Sequence, residues 1–236
     1  MRAAILAGIV ALSPHVALAQ GCPEPLAQAR RLVLVTAETF TSTSATVQRY
    51  ERPSTNAPWQ LSGGAANAVI GRNGVGWAHA FRAFARRGEP IKVEGDKRAP
   101  AGFYKVGNSF GFAVSDRPNY VRIHEGMTCV NDLSSSAYNT IKSRAEIGPN
   151  VHGENMSRVP EYRRGLFIDY PSDRRARAGS CIFFHLQLPS TSGTGGCVAL
   201  PEPQLQALQD HAQAGTVVAI LPRPAFDRFK GCLPVN

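Results

Sequence analysis

Ser180-Cys181-Ile182-Phe183-Phe184-His185 is followed, across a short Ser/Thr/Gly segment, by Thr194-Gly195-Gly196-Cys197-Val198-Ala199-Leu200. The first run reads as an apolar strand carrying a histidine, the second as a glycine turn carrying a cysteine. A thiolate attacks a carbonyl far better than a thiol does, and an imidazole beside it takes the proton. Gly195 and Gly196 let a substrate carbonyl approach the backbone, and their N–H groups, with that of Cys197, can meet an oxyanion. The residue types therefore nominate Cys197 as nucleophile, His185 as general base and Gly196 as an oxyanion backbone donor. The alternative is a strand histidine bonded to a backbone carbonyl and a buried or bridged cysteine. Ser190 to Gly196 is too small and polar for a regular element, so the pair must meet through the fold.

The segment resembles the catalytic signature of the L,D-transpeptidase (YkuD-like) family. There, a strand histidine precedes a Ser/Thr-His-Gly-Cys turn, an apolar residue and Arg or Asn. Thr194 matches the Ser/Thr position, Gly196 the glycine, Cys197 the nucleophile, Val198 the apolar residue and His185 the upstream base. Gly195 stands where a second histidine is usual and Ala199 where Arg or Asn is usual. The gap from His185 to Cys197 is also shorter than in the best-studied members. A second block, Lys92-Val93-Glu94-Gly95-Asp96-Lys97-Arg98-Ala99-Pro100-Ala101-Gly102-Phe103-Tyr104, resembles the family's K-x-E-G-D-x-x-x-P-x-G-x-F stretch. Weaker echoes at Cys129-Val130-Asn131-Asp132, Tyr138-Asn139 and Gly165 to Tyr170 extend the likeness over roughly residues 31 to 221.

The resemblance implies a mostly β fold with a few helices, a sandwich or barrel-like YkuD-like catalytic domain. It also implies a cysteine acyltransferase acting on peptidoglycan tetrapeptide stems. Cys197 would attack the carbonyl of the third stem residue and D-alanine would leave. An amine from another stem, or from a protein, would then accept the acyl group. The Leu186 carbonyl would orient His185, Thr194 and Gly195 would contact substrate, and no metal or organic cofactor is implied. With water as acceptor the same acyl-enzyme makes an L,D-carboxypeptidase or amidase. Gly195 and Ala199 motivate a further alternative, a catalytically weak cell-wall-binding protein. Two residues outside the motif are weighed for substrate contact. Asp169, at a strand end, would order the site or bind a substrate amine, or else act as a structural cap. His152 would supply the imidazole that Gly195 lacks.

A chain of 236 residues with 43% apolar and 18% charged side chains is an ordinary globular composition, large enough for one sizeable domain, read here as 20–236. Residues 1–19 carry Arg2, an apolar run from Ala3 to Leu12, Pro14 and Ala17-Leu18-Ala19. They read as a secretory signal, with Gln20 first in the mature chain and the periplasm as destination. No stretch approaches eighteen consecutive apolar residues, so no stable membrane anchor is expected. A polar Gln20 argues against a lipid on Cys22. Export permits disulfides. Setting Cys197 aside leaves Cys22, Cys129, Cys181 and Cys232, with three pairings open, one of which joins Cys22 and Cys232 near the mature termini. Because side chains alternate on a strand, Cys181 shares a face with His185, and its thiol rivals Cys197 as nucleophile. The net charge of +9, with arginines clustered at 82–87 and 163–177, suits a polyanionic partner. Export excludes nucleic acid and leaves the carboxylates of wall peptide stems, the alternative being a solvated arginine-rich loop.

Along the chain, Leu32 to Thr36 and Ser44 to Tyr50 read as a hairpin. Val69-Ile70 leads into an Asn73-Gly74 turn, and Phe103 to Val106, Gly111 to Val114 and Tyr120 to Ile123 read as further strands. Residues 126–163 loosen into a polar insertion or lid containing His152 and Glu154. Strands resume at Leu166 to Tyr170 and Ile182 to Leu186. A helix begins near Pro201, with Leu205, Leu208 and Ala212 at helical spacing, and Thr216 to Leu221 is a final strand. This order predicts Cys197 just ahead of a helix N-terminus, whose partial charge would favour thiolate.

Overall fold

The computed structural model describes residues 21–234, so the signal segment read at 1–19 and the mature start at Gln20 lie outside the described residues. Leu32-Val33-Leu34-Val35 is apolar on both faces, the pattern of a strand covered from both sides. It forms β1 (Arg31–Ala37), buried at every position after the first. β2 (Ser44–Glu51) buries Ala45, Val47 and Tyr50 and runs antiparallel to β1 from Arg31 opposite Glu51 to Ala37 opposite Ala45, the expected hairpin. There follow β3 (Gln60–Leu61), β4 (Ala66–Val69), β5 (Val75–Trp77), β6 (Ala99–Gly111) and β7 (Val121–Arg122). The second half contributes β11 (Arg164–Asp169), β12 (Phe183–Leu186), β13 (Val198–Leu200), α2 (Glu202–His211) and β14 (Val217–Pro222).

The sheet closes on itself. Its order is β1-β14-β6-β11-β12-β13-β4-β2, and β2 returns to β1, which makes a mostly β barrel with few helices. Closure removes the open edges that an exposed sheet must protect. Two pairs in the ring are parallel, β1 with β14 and β12 with β13. The second of these pairs builds the site.

Three expectations change. Phe103–Val106 and Gly111–Val114 are not two strands. β6 runs unbroken to Gly111, while Val114 is exposed beyond it. Gly107 does not break the strand because it lies against Phe167, where the β6–β11 register shifts between Leu166 and Ile168 and a side chain would crowd the bulge. The three-residue β13, unread in the sequence, stands between Cys197 and α2, so the cysteine is not at a helix N-terminus and gains nothing from its dipole. Cys181 lies outside β12 with φ 58 and is bridged to Cys129, which removes it as a rival nucleophile.

The 126–163 insertion folds as a sheet of its own. β8 (Met127–Val130) is flanked by β9 (Ile141–Ser143) and β10 (Gly153–Asn155), and the short α1 (Arg144–Ile147) is closed by a Ser143/Glu146 capping box. Between this sheet and the barrel lies a small apolar core of Phe110, Ile123, Cys129, Met156, Tyr162, Phe183 and Cys197, separate from the main one. No helix among the described residues is long and apolar enough to cross a membrane.

A second disulfide joins Cys22 to Cys232 across a sequence separation of 210. Its sulfur is thereby unavailable for a lipid. In the chain-entropy view a loop of that length gains about 5 kcal/mol from closure. The Cys22→Ser/Cys232→Ser variant is expected to lose about 2–5 kcal/mol of unfolding free energy in urea titration, with its far-ultraviolet circular dichroism unchanged.

Candidate active site

β12 and β13 run side by side, with Phe184, His185 and Leu186 opposite Val198, Ala199 and Leu200. Parallel neighbours start at the same end, so the residue entering β13, Cys197, meets the residue entering β12, Phe183. The Phe183 N–H donates to Cys197 Sγ at 3.4 Å. His185 follows two residues along, on the strand face that Phe183 shares. The distance in sequence between the two candidates is thus closed by one ladder.

The turn that carries Cys197 is held by Thr194. Its hydroxyl donates to the Cys197 carbonyl at 2.7 Å and accepts the Gly196 N–H at 3.1 Å. Its own N–H donates to the Ile70 carbonyl at 2.9 Å, and its carbonyl accepts from the Arg72 N–H at 3.0 Å. Two readings change here. Thr194 lines the cavity, but its hydroxyl is spent inside the turn rather than offered to substrate. The Gly196 N–H is spent too, which leaves those of Gly195 and Cys197, without hydrogen bonds among the described residues, to face an oxyanion. Gly196 is needed for a different reason. Its φ is 141, and a Cβ there would stand 2.8 Å from the Arg98 carbonyl oxygen, whereas a Cβ at Gly195 meets nothing within 4 Å.

His185 is buried, and its Nδ1–H donates to the Leu186 carbonyl at 2.9 Å, the orientation expected of that carbonyl. A carbonyl accepts only, so the neutral ring carries its proton on Nδ1 and keeps Nε2 as a base. Burial lowers its pKa below the ordinary 6.5, opposed by the Leu186 carbonyl and the charge of Glu161. Cys197 is 6% exposed, and its thiol donates to the Cys181 carbonyl at 3.3 Å. Burial pushes its pKa up to about 12, against the pull of the Phe183 N–H. The resting pair is therefore neutral thiol and neutral imidazole, with no hydrogen bond between them among the described residues.

Both open onto one cavity of about 350 Å³, whose lining also includes Arg72, Glu94, Asn131, Glu154, Glu161, Tyr162 and Gly195. A roomier cavity of about 530 Å³ beside α2 holds none of these groups, so size does not mark the site. The Lys92–Tyr104 block reaches the cavity through Glu94. Lys92 is buried and donates from Nζ to Asp96 at 2.5 Å and to the Val93 carbonyl at 3.0 Å, folding the loop. Glu94 then accepts from the Tyr138 and Ser180 hydroxyls. Asp169 is not brought in. It is exposed at the end of β11 opposite Lys105. Nor is His152, which is exposed and whose backbone N–H donates to Asp132 at 3.0 Å. Sequence reading missed Tyr162, whose ring meets His185 edge-on at 5.6 Å, and gave Glu154 no role although it accepts the Tyr162 hydroxyl proton at 2.6 Å. The only signal for either was their place in the polar insertion.

No family model matches the chain, and no curated protein matches it. Among solved structures it is similar to the helical cell shape determining protein Pgp2 from Campylobacter jejuni, with 17% identity and a TM-score of 0.42. The alignment covers 83% of this chain and 48% of that one, so the chain spans about half the length of that protein. A likeness at this level carries no argument about chemistry, which rests on the site's own geometry.

Gly196→Ala is expected to cost about 1–3 kcal/mol by strain and carbonyl contact and to displace the turn carrying Cys197, while Gly195→Ala leaves stability unchanged. Thermal denaturation of the two variants checks the contrast.

Proposed function

We propose that this protein is a cysteine acyltransferase of the L,D-transpeptidase (YkuD-like) kind, acting in the periplasm on peptidoglycan tetrapeptide stems. One observation carries the reading. The free cysteine among the described residues opens onto the same cavity as a histidine whose Nδ1 is fixed by a backbone carbonyl and whose Nε2 is left as a base. The closed β architecture and the Lys92–Tyr104 loop beside the cavity support it further.

A thiol with a pKa near 12 does not ionise in advance. Proton transfer therefore accompanies attack. Sγ bonds to the carbonyl carbon of the third stem residue as the thiol proton passes to His185 Nε2. The oxyanion meets the Gly195 and Cys197 N–H groups. On collapse the C–N bond breaks, and D-alanine leaves with the proton returned by His185. The acceptor amine then attacks the thioester, yields its proton to His185, and the thiol is restored.

Tetrapeptide muropeptides incubated with the mature protein are expected to give a cross-linked dimer lacking one D-alanine, read by mass spectrometry. Cys197→Ala should give none, and His185→Gln should fall by about 10²–10⁴. A tripeptide monomer instead would mean that water is the acceptor, and sacculus binding without turnover would favour a wall-binding protein. The base must be neutral and its pKa is lowered, so kcat/KM should hold down to pH 6.5 and fall only below it. An acid limb above pH 6.5 would contradict the buried base.

A further inference from the structure

The wall facing Cys197 and His185 is built by the 126–163 insertion, and one covalent bond ties it to the segment that holds the nucleophile. The Cys181 carbonyl accepts the Cys197 thiol proton, its N–H donates to Asn139 Oδ1 at 3.0 Å, and its sulfur is bridged to Cys129. Cys129 lies on β8 directly opposite Glu154 on β10. Glu154 holds the Tyr162 hydroxyl, and the Tyr162 ring lies against His185. The contacts run in a circuit from the thiol through Cys181, the bridge, Cys129, Glu154 and Tyr162 to the imidazole. The three-stranded sheet shares no ladder with the barrel. Apart from loop contacts, the bridge and the small core around Phe110, Met156 and Phe183 hold it there.

We propose that Cys129 and Cys181 are positioning residues: their disulfide holds the Glu154–Tyr162 wall against the thiol and the imidazole, so that the pair is aligned and shielded only while the bridge is closed. Burial is the largest influence keeping the thiol protonated. Opening the bridge hydrates the sulfur, which favours thiolate, and at the same time frees the wall that sets the imidazole. Intrinsic thiol reactivity and catalysis then move in opposite directions, and a variant that loses stability without touching the wall separates this from general unfolding.

The proposal rests on Cys197 as nucleophile, but its test reads the sulfur itself. Alkylation of Cys197 by iodoacetamide at about pH 8 is compared in three proteins: the mature chain, Cys129→Ser/Cys181→Ser and Cys22→Ser/Cys232→Ser. The first double variant is expected to react about tenfold faster, the effect of roughly one pKa unit, while its muropeptide turnover falls. The second should match the unmodified chain in both. Equal rates in the Cys129→Ser/Cys181→Ser variant and the unmodified chain overturn the proposal, as does equal acceleration in both double variants. Should the first variant not fold, reductant titration of the unmodified chain decides. Cys197 alkylation must then rise with opening of Cys129–Cys181, mapped by mass spectrometry, and not with opening of Cys22–Cys232. If the unmodified chain turns over no muropeptide, the functional reading falls and the alkylation comparison still decides this one.

Discussion

The parallel ladder between β12 and β13 is the constraint on which the site depends. A cysteine and a histidine separated by a loop have no intrinsic reason to meet. Two adjacent parallel strands, entered from the same end, put the residue leading into β13 beside the first residue of β12. Phe183 N–H against Cys197 Sγ is that meeting point, and His185 is two residues further along. The closed barrel fixes the ladder from both sides, since β12 is paired with β11 and β13 with β4.

Around that ladder the chain spends its polar groups on holding backbone. Thr194 closes the turn carrying Cys197, the Leu186 carbonyl sets the imidazole tautomer, and the buried Lys92–Asp96 pair folds the loop that presents Glu94. The consequence is electrostatic. A thiol and an imidazole enclosed by apolar side chains both stay neutral, so the arrangement suits a general base that acts during attack rather than a preformed ion pair. The carboxylates of Glu94, Glu154 and Glu161 gather at the cavity of a chain whose net charge is +9. The basic surface and the acidic site are thus distinct features.

Much of this was legible in the residues. The β1–β2 hairpin, β11, β12, α2 and β14 follow from apolar runs and helical spacing, and Cys197, His185 and Leu186 from residue chemistry and motif resemblance. What stayed hidden was long-range. The β1–β14 pairing that closes the barrel joins residues at opposite ends of the chain, and Val198-Ala199-Leu200 is too short to announce β13. The two strands read at Phe103–Val106 and Gly111–Val114 missed that β6 continues through a bulge opposite β11, which residue alternation does not show. Gly196 was read as an oxyanion donor because sequence cannot show that the Thr194 hydroxyl claims its N–H. Tyr162 and Glu154 reach the site only through the tertiary placement of a polar insertion, so no periodicity marked them. Asp169 and His152, proposed from type and position, point elsewhere for the same reason.

The proposed function requires an acyl-enzyme on Cys197. Intact-protein mass spectrometry after brief mixing with a tetrapeptide donor, followed by peptide mapping, tests it most directly. The expected mass gain equals the donor less one D-alanine, carried by the peptide containing Cys197. An adduct on another residue, or Cys197 found in a disulfide, would contradict it.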